Sequence, residues 1–189
     1  MNKNKLKIPK AGDLLISEPF LQDENFVRSV VLLCEHSEEG SFGLVINKPS
    51  ILKLNELVQA LDFLEKEVFV GGPVEQNTLH FIYTGEQVLD GSVSLGDHIW
   101  WGGDYESLVD KLKLGLLDPD SVRFFLGYSG WGTDQLKEEL DDETWIICRE
   151  NLNEQTLKLT PEELWKSLLK NMGGEFKVIA NYPLDPRLN

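Results

Sequence analysis

The segment GYSGWG, residues 127–132, contains the most nucleophile-like serine of the chain, because Ser129 stands between glycines after an apolar run. A serine-hydrolase nucleophile elbow requires the pattern Gly-x-Ser-x-Gly. Here Gly130 follows the serine directly, and Trp131 occupies the position of the second glycine. All three histidines precede Ser129, whereas the α/β-hydrolase base follows its serine. The sequence therefore predicts a tight backbone crossing with aromatic packing beneath it, rather than a catalytic serine.

The same segment could bind an anion, since a strand that passes through glycines into a helix presents free backbone N–H groups. Its spacing, Gly-x-x-Gly-x-Gly, matches neither the dinucleotide fingerprint nor the P-loop, and no lysine follows directly to hold a phosphate. We expect Asp134, in the first turn of the next helix, to accept the N-terminal donors itself. These observations argue against an anion site in this segment.

Cys34 and His36 suggest a thiolate–imidazole dyad, but their spacing argues against one. Residues two apart on a strand share a face and lie about 6.5–7 Å apart, whereas a dyad needs hydrogen-bond reach. We expect a core thiol at Cys34 and an imidazole that caps a turn at His36. No Cys-x-x-Cys pair and no histidine ligand spacing occurs, so the sequence predicts no metal site and no cofactor.

The string GGPV, residues 71–74, pairs two glycines with a proline, which suits a sharp turn or a close approach of two backbones. A ligand-facing loop is the alternative, because glycine-lined backbone also admits a ligand. No catalytic residue is predicted. The candidate ligand pocket consists of His36, Gly71, Gly72, Pro73, Tyr128, Gly130 and Trp131.

Composition limits the classes of function that the chain can have. The 189 residues are 41% hydrophobic and bear a formal net charge of −14, which predicts one domain and disfavours direct binding to nucleic acid. The basic cluster Lys3, Lys5, Lys7 and Lys10 predicts a flexible leader over residues 1–10, with the single domain over residues 11–189. No apolar stretch of the length that a secretory signal needs follows these lysines, and both cysteines lie in apolar segments, so we expect a cytoplasmic protein with no membrane partner.

Hydrophobic patterns predict both strands and helices. The central feature is a hairpin in which residues 30–34 and 44–46, both apolar without alternation, flank a polar turn. Further strands are expected at residues 14–17, 68–70, 78–83, 98–101, 122–126 and 144–148, and helices at residues 54–61, 105–112, 134–140 and 160–172. The helix 160–172 has the clearest boundaries, with a Thr160–Glu163 capping box and a stop at Gly173. Strands and helices do not alternate regularly, which favours the α+β class.

Three segments together resemble the YqgE/AlgH family of bacterial proteins: RSVVLLCEHSEEGSFGLVINKP at residues 28–49, GGPV, and GYSGWG. The resemblance covers nearly the whole chain. It implies a bent, mainly antiparallel sheet that closes into a pseudo-barrel with helices packed outside, and a family label of transcriptional regulator. Where the family pattern resembles GYAGWGPGQLE, this chain has Ser129 for alanine and Thr133 and Asp134 for Pro-Gly, which weakens any shared phosphate-binding role.

The leading functional hypothesis is a non-catalytic cytoplasmic regulatory or interaction protein with a protein partner, because the nucleophile, metal and phosphate patterns all fail on spacing. The acidic run of residues 138–143 is interpreted as a solvated helix end that could attract a basic partner. The alternative is a small-molecule-binding protein, or an enzyme of unrecognised type, with its pocket near GGPV and GYSGWG. Whether the protein is an enzyme stays open. Direct binding to DNA is opposed by the charge.

Overall fold

The structure, a computed structural model, describes residues 8–96, 98–150 and 152–183. Its strands are β1 (Leu14–Ser17), β2 (Val30–Ser37), β3 (Gly40–Val45), β4 (Pro49–Lys53), β5 (Glu67–Val70), β6 (Val74–Thr84), β7 (Val93–Gly96), β8 (Ile99–Trp101), β9 (Val122–Trp131) and β10 (Trp145–Cys148). Its helices are α1 (Leu54–Leu57), α2 (Tyr105–Lys113), α3 (Gln135–Asp141), α4 (Glu154–Leu157), α5 (Pro161–Met172) and α6 (Gly174–Ile179). Two short 3-10 turns cover Gln59–Leu61 and Pro119–Ser121.

One branched sheet organises the molecule. Its main path runs β10-β1-β2-β3-β9-β6-β8-β7, and β4 joins it through β5, which pairs with β9. The β5–β9 pair is parallel, and the other pairings of the described strands are antiparallel. Strand β9 has β6 on one side, while on the other side it pairs first with β5 and then with β3. The predicted α+β class and single domain are therefore confirmed.

The expected closure into a pseudo-barrel is not present in the described part of the chain. The sheet path ends at β10 and β7, and no pairing joins these two strands. The sheet nevertheless curls strongly, since a Cβ atom added at Gly12 would lie 2.3 Å from the carbonyl oxygen of Leu95 in β7. The backbone N–H of Gly12 donates to the carbonyl of Leu33 at 2.8 Å, so it is not available to pair with β7 in a ladder.

Both faces of the central hairpin are buried, as its unalternating apolar pattern predicts. Leu32, Leu44 and Ile46 lie in the interior of the curl with the apolar face of α5. Residues Val31 and Val45, from the same two strands, pack on the opposite face beneath α3. A third cluster joins α2 to β5, β6, β8 and β9. The hairpin is therefore the centre of the core, and its register, such as Leu32 opposite Leu44, confirms the predicted antiparallel pairing.

Local signals account for the helix boundaries. The capping box of α5 is present: Glu163 accepts from the backbone N–H of Thr160 at 3.0 Å, and Gly173 ends the helix at φ 70°. The helix expected over residues 54–61 is wrong as one element, because Val58 has extended backbone angles and separates α1 from the 3-10 turn. As a result Leu57, expected on the buried face, is 39% exposed.

Candidate functional site

GGPV and GYSGWG meet in a close backbone crossing. A Cβ atom at Gly71 would lie 2.3 Å from the carbonyl oxygen of Gly127, and one at Gly72 would lie 2.2 Å from that of Tyr128. The backbone N–H of Gly71 donates to Leu126 at 2.8 Å, which fixes the approach. This is the tight crossing that the glycines predict, and it leaves Gly71 and Gly72 buried, while Pro73 is exposed.

GYSGWG continues strand β9 through Trp131, so the strand expected over residues 122–126 extends five residues further. The glycines are needed here because β9 changes its neighbour from β5 to β3 within this stretch. Ser129 is 1% exposed, and its hydroxyl donates to the carbonyl of Gly71 at 3.1 Å rather than to a base. Ser129 therefore secures the crossing and is not placed as a nucleophile.

The helix that follows does not have the cap that we expected. Asp134 adopts the left-handed conformation at φ 59°, and its side chain makes no capping hydrogen bond. The backbone N–H of Gly132 is bound instead by the side-chain oxygen of Gln135 at 3.0 Å. The left-handed backbone turns the Asp134 carboxylate away from the donors that it was expected to accept.

The acidic run of residues 138–143 is not uniformly solvated. One carboxylate oxygen of Glu139 accepts the indole N–H of Trp131 at 2.8 Å and that of Trp145 at 2.7 Å. The other accepts from Gln135 at 2.9 Å. The interpretation as a solvated surface is therefore wrong for Glu139, which joins α3 to β9 and β10. Its neighbour Glu138 is exposed, as the interpretation as a solvated surface predicts.

Cys34 and His36 have different surroundings. Cys34 is fully buried in the interior of the curl, and burial, assisted by Glu35, raises the pKa of its thiol well above the usual range. His36 is exposed, and its Nδ1 lies 2.7 Å from the hydroxyl oxygen of Ser41 across the hairpin. A register shift between Leu33 and Glu35 interrupts the alternation that would place them on one face. The structure thus contains no thiolate–imidazole pair at these positions.

A cleft of about 550 Å³ lies between the tip of the β2–β3 hairpin and α3; we call it the hairpin–α3 cleft. Its floor is apolar, formed by Leu136 and Leu140 of α3. Its rim carries the carboxylates of Glu38, Asp134 and Asp141. The remaining lining residues are Ile8, Pro9, His36, Ser37, Gly40, Ser41, Gly132 and Lys137.

The structure divides the predicted pocket residues among several places. His36 lines the hairpin–α3 cleft, and it borders a second, open depression of about 600 Å³ together with Trp131. Gly71 and Gly72 form the crossing with Tyr128 and lie outside both openings. Gly130 of β9 and Pro73, which lies between β5 and β6, are exposed and line neither opening.

Sequence reasoning missed a row of aromatic rings on four neighbouring strands of the sheet, β3, β9, β6 and β8. Phe42 of β3 stacks on Tyr128 of β9 with ring centroids 4.6 Å apart, and lies 4.9 Å from Trp101 of β8. His80 of β6 lies 5.2 Å from Phe42 and 5.8 Å from Tyr128. All four are partly exposed, and we call them the aromatic row. No local pattern signals it, because the sheet register alone brings the rings together.

His80 is the titratable member of the aromatic row. Burial lowers its pKa, and the nearby carboxylate of Glu75 opposes this effect without overcoming it. Its Nε2 lies 3.1 Å from the hydroxyl oxygen of Thr78. The imidazole therefore favours its neutral form more than a solvated histidine does.

No group of three or more histidine, cysteine, aspartate or glutamate side chains within residues 8–96, 98–150 and 152–183 is arranged to hold a metal ion. In the same ranges no helix has the length and apolar character needed to cross a bilayer.

The fold and the crossing define an α+β protein built on a branched sheet whose central strand has three neighbours. A family model described as AlgH-like matches residues 14–177. A protein named UPF0301 protein from Cytophaga hutchinsonii is 47% identical over 179 residues, covering 94% of this chain and 98% of its relative. The chain therefore belongs to the AlgH-like family, which confirms the resemblance inferred from its motifs.

Solved structures share this fold. The solution structure of the AlgH protein from Pseudomonas aeruginosa matches with a TM-score of 0.69 and 26% identity, covering 94% of this chain and 97% of that one. A crystal structure of a protein from Corynebacterium diphtheriae matches with a TM-score of 0.76 at 19% identity, covering 93% and 94% of the two chains. The second likeness concerns the fold alone.

Proposed function

We propose that this protein is a non-catalytic, cytoplasmic interaction protein that binds a basic segment of a partner protein in the hairpin–α3 cleft. The observation that carries the proposal is the acidic rim of the cleft above an apolar floor, on a chain with a net charge of −14. A segment with lysine or arginine beside an apolar side chain complements both features.

The side chains that could have supported catalysis serve structural roles. Ser129 is bonded to a carbonyl, and the thiol of Cys34 is buried with a raised pKa. His36 is bonded to Ser41 at the edge of the cleft, where it can offer a hydrogen bond to a partner. These placements support recognition rather than bond-breaking chemistry at the predicted site.

The charge of the rim suits recognition of a cation. Glu38 comes from the hairpin tip, while Asp134 and Asp141 come from the two ends of α3, so the carboxylates surround the floor. Lys137 is the cationic member of this lining. Exposed carboxylates of this kind steer a basic partner and fix its register more than they tighten binding, so the affinity should fall as salt is raised.

Regulation by this protein would then act through its partner rather than through DNA. The two cysteines are buried as thiols in one apolar cluster, which supports a reducing compartment. The family label of regulator is compatible with such an indirect role.

The test compares capture of partners from native lysate by three forms of the full chain. The cleft variant carries Glu38→Gln, Asp134→Asn and Asp141→Asn. The control variant loses the same charge at exposed positions near α2, through Glu86→Gln, Glu106→Gln and Asp110→Asn. A captured protein is accepted only when a synthetic peptide from its contacting segment binds the purified chain by fluorescence anisotropy.

We expect the wild type and the control variant to bind that peptide with equal affinity, and the cleft variant to bind it at least tenfold more weakly. Equal binding by all three forms, or a bound segment that lacks lysine and arginine, would contradict the proposal. Binding of the same peptide at the aromatic row, detected by loss on Phe42→Leu, would place the interaction on another face.

A second candidate function is binding of a small planar molecule at the aromatic row. Its support is the partial exposure of four rings in mutual contact, one of which, Phe42, also lines the 600 Å³ depression. Quenching of tryptophan fluorescence by a compound from a metabolite panel, abolished by Tyr128→Leu and kept in the cleft variant, would support it. A panel without any saturable ligand would reject it.

A further inference from the structure

The parallel pair β5–β9 creates a cation-rich edge in this acidic protein. Parallel strands begin at the same edge of a sheet, so the start of β5 and the start of β9 lie side by side. Lys66 precedes β5 and Arg123 is the second residue of β9. Lys53 at the end of β4 and Lys158 after α4 complete the group, and all four line a pocket of about 260 Å³. We call it the β5–β9 pocket.

Arg123 carries a largely buried charge in this pocket. Its guanidinium donates to the carbonyl of Ile46 at 2.8 Å and to that of Leu157, and lies 4.2 Å above the ring of Phe69. A guanidinium has five N–H donors, so these two bonds leave others available. Among the described side chains, no carboxylate oxygen lies within 4.0 Å of it.

Arg123 and Lys66 are both partly removed from water in this pocket. Burial lowers the pKa of Arg123 to about 10, and the carboxylate of Glu67 only partly opposes this effect. Burial also lowers the pKa of Lys66, although its Nζ lies 3.5 Å from the carboxylate of Asp120. A cation taken out of water without a close counter-charge is stabilised when an anion binds beside it.

We propose that the β5–β9 pocket binds a phosphate group, presented by inorganic phosphate or by a small phosphorylated metabolite. Four cationic side chains face three carboxylates there, Glu65, Glu67 and Asp120, whereas acidic side chains outnumber basic ones by 32 to 18 over the whole chain. The apolar ring of Phe69 on one wall limits hydration of the bound anion. The site is separate from the hairpin–α3 cleft and shares no lining residue with it.

The test is calorimetric titration of the full chain with inorganic phosphate, sodium acetate and sodium chloride at constant ionic strength. Lys66→Gln removes a cation of the pocket and leaves the carbonyl bonds of Arg123 in place. Lys170→Gln, at an exposed position of α5, is the control with the same change in charge. Circular dichroism confirms that both variants fold.

We expect saturable binding of phosphate that is at least tenfold weaker in Lys66→Gln and unchanged in Lys170→Gln. Equal weakening in both variants would reduce the effect to overall charge and overturn the proposal. Acetate binding as tight as phosphate binding would also overturn it, because the pocket would then select a monocarboxylate. Lack of any saturation by phosphate up to about 10 mM, which corresponds to a binding free energy of roughly −3 kcal/mol, would reject the site.

Discussion

Glu139 illustrates how one acidic side chain can organise a protein with many surface acids. Its carboxylate accepts hydrogen bonds from two indoles, those of Trp131 and Trp145, whose rings meet edge to face at 5.9 Å. Both tryptophans are buried, so their N–H groups have few alternative partners. The carboxylate therefore fixes α3 against the outer face of the hairpin core.

Glu139→Ala is predicted to lower the free energy of unfolding by about 2–4 kcal/mol, because it leaves two buried indole donors without their acceptor. Glu139→Gln keeps a carbonyl oxygen and should cost less. Glu138→Ala, at the exposed neighbouring position, is the control and should change stability by less than about 0.5 kcal/mol. Urea unfolding monitored by tryptophan fluorescence measures all three. Equal effects at positions 138 and 139 would contradict the role assigned to Glu139.

His80 is predicted to make stability depend on pH. Its folded-state pKa lies below the value of 6.5 expected for the unfolded chain, so the unfolded state binds more protons in that range. The contribution of His80 to the free energy of unfolding is complete above about pH 6.5 and is lost as the pH falls from there through the folded-state pKa. Urea unfolding at pH 7.5 and pH 5.5 should show a smaller loss for His80→Phe than for the wild type.

The carboxylates with lowered pKa values, Glu162 and Glu163, titrate below this window and should not mask the effect. An identical loss of stability in His80→Phe and in the wild type would show that other groups cause the dependence.

At the scale of elements, the crossing of GGPV with β9 is the structure's tightest backbone constraint at the predicted site. It allows β9 to pair with β5 and then with β3, because no side chain separates the two backbones. The carbonyl of Gly71 accepts both the backbone N–H of Val45 at 2.8 Å and the hydroxyl of Ser129 at 3.1 Å. The crossing thus joins three strands at one peptide group.

Gly72→Ala is predicted to destabilise the protein by about 3 kcal/mol or more, because its Cβ atom would lie 2.2 Å from the backbone of Tyr128, which cannot move independently of the sheet. Gly132→Ala is the matched control at the end of the same motif, since its Cβ atom would lie 3.9 Å from the flexible side chain of Gln135. Thermal unfolding by calorimetry compares them. A melting temperature unchanged by Gly72→Ala would mean that the crossing is loose.

Sequence patterns predicted the elements whose stabilising contacts join residues close together in the chain. The capping box and stop glycine of α5 act within a few residues, and the hairpin joins two apolar runs across a short turn. Strands β4 and β7 were missed because they are short and largely exposed, so burial leaves little trace in their sequences. Only pairing with β5 and β8 makes them strands.

The sites were harder to predict than the elements, for a physical reason. The predicted pocket residue His36 lines the hairpin–α3 cleft, and its role in a ligand site stays a prediction. Phe42, His80 and Trp101 of the aromatic row are far apart in the chain, so no local pattern brings them together. The β5–β9 pocket likewise depends on a parallel pairing that hydrophobic patterns do not specify. A side chain's neighbours across a sheet are set by register, which one sequence does not reveal.

On the scale of the whole molecule, charge is distributed unevenly. The net charge of −14 gives a field that repels polyanions, while the lining of the β5–β9 pocket has four lysine or arginine side chains and three carboxylates. Residues 1–7 of the leader predicted over residues 1–10 lie outside the described ranges. The carbonyl of Ile8, which follows them, accepts a hydrogen bond from Arg149. The flexibility of this segment stays a prediction.

The isolated protein is predicted not to bind duplex DNA specifically at physiological salt, because phosphate neutralisation by lysine and arginine dominates such binding. Fluorescence anisotropy with labelled genomic fragments measures this. A sequence-selective, salt-dependent signal with submicromolar affinity would contradict the prediction. Persistence of that signal after deletion of residues 1–10 would locate the DNA site in the folded domain.

The position of β9 in the chain affects how the protein can be made. Strands β3, β5 and β6 all precede β9 in the chain, and each uses β9 as a neighbour. On the ribosome, these three strands therefore keep one unpaired edge each until Val122–Trp131 has been synthesised and has left the exit tunnel. Unpaired strand edges can pair with other chains, so the nascent protein is prone to aggregation until β9 pairs with these edges in the complete fold.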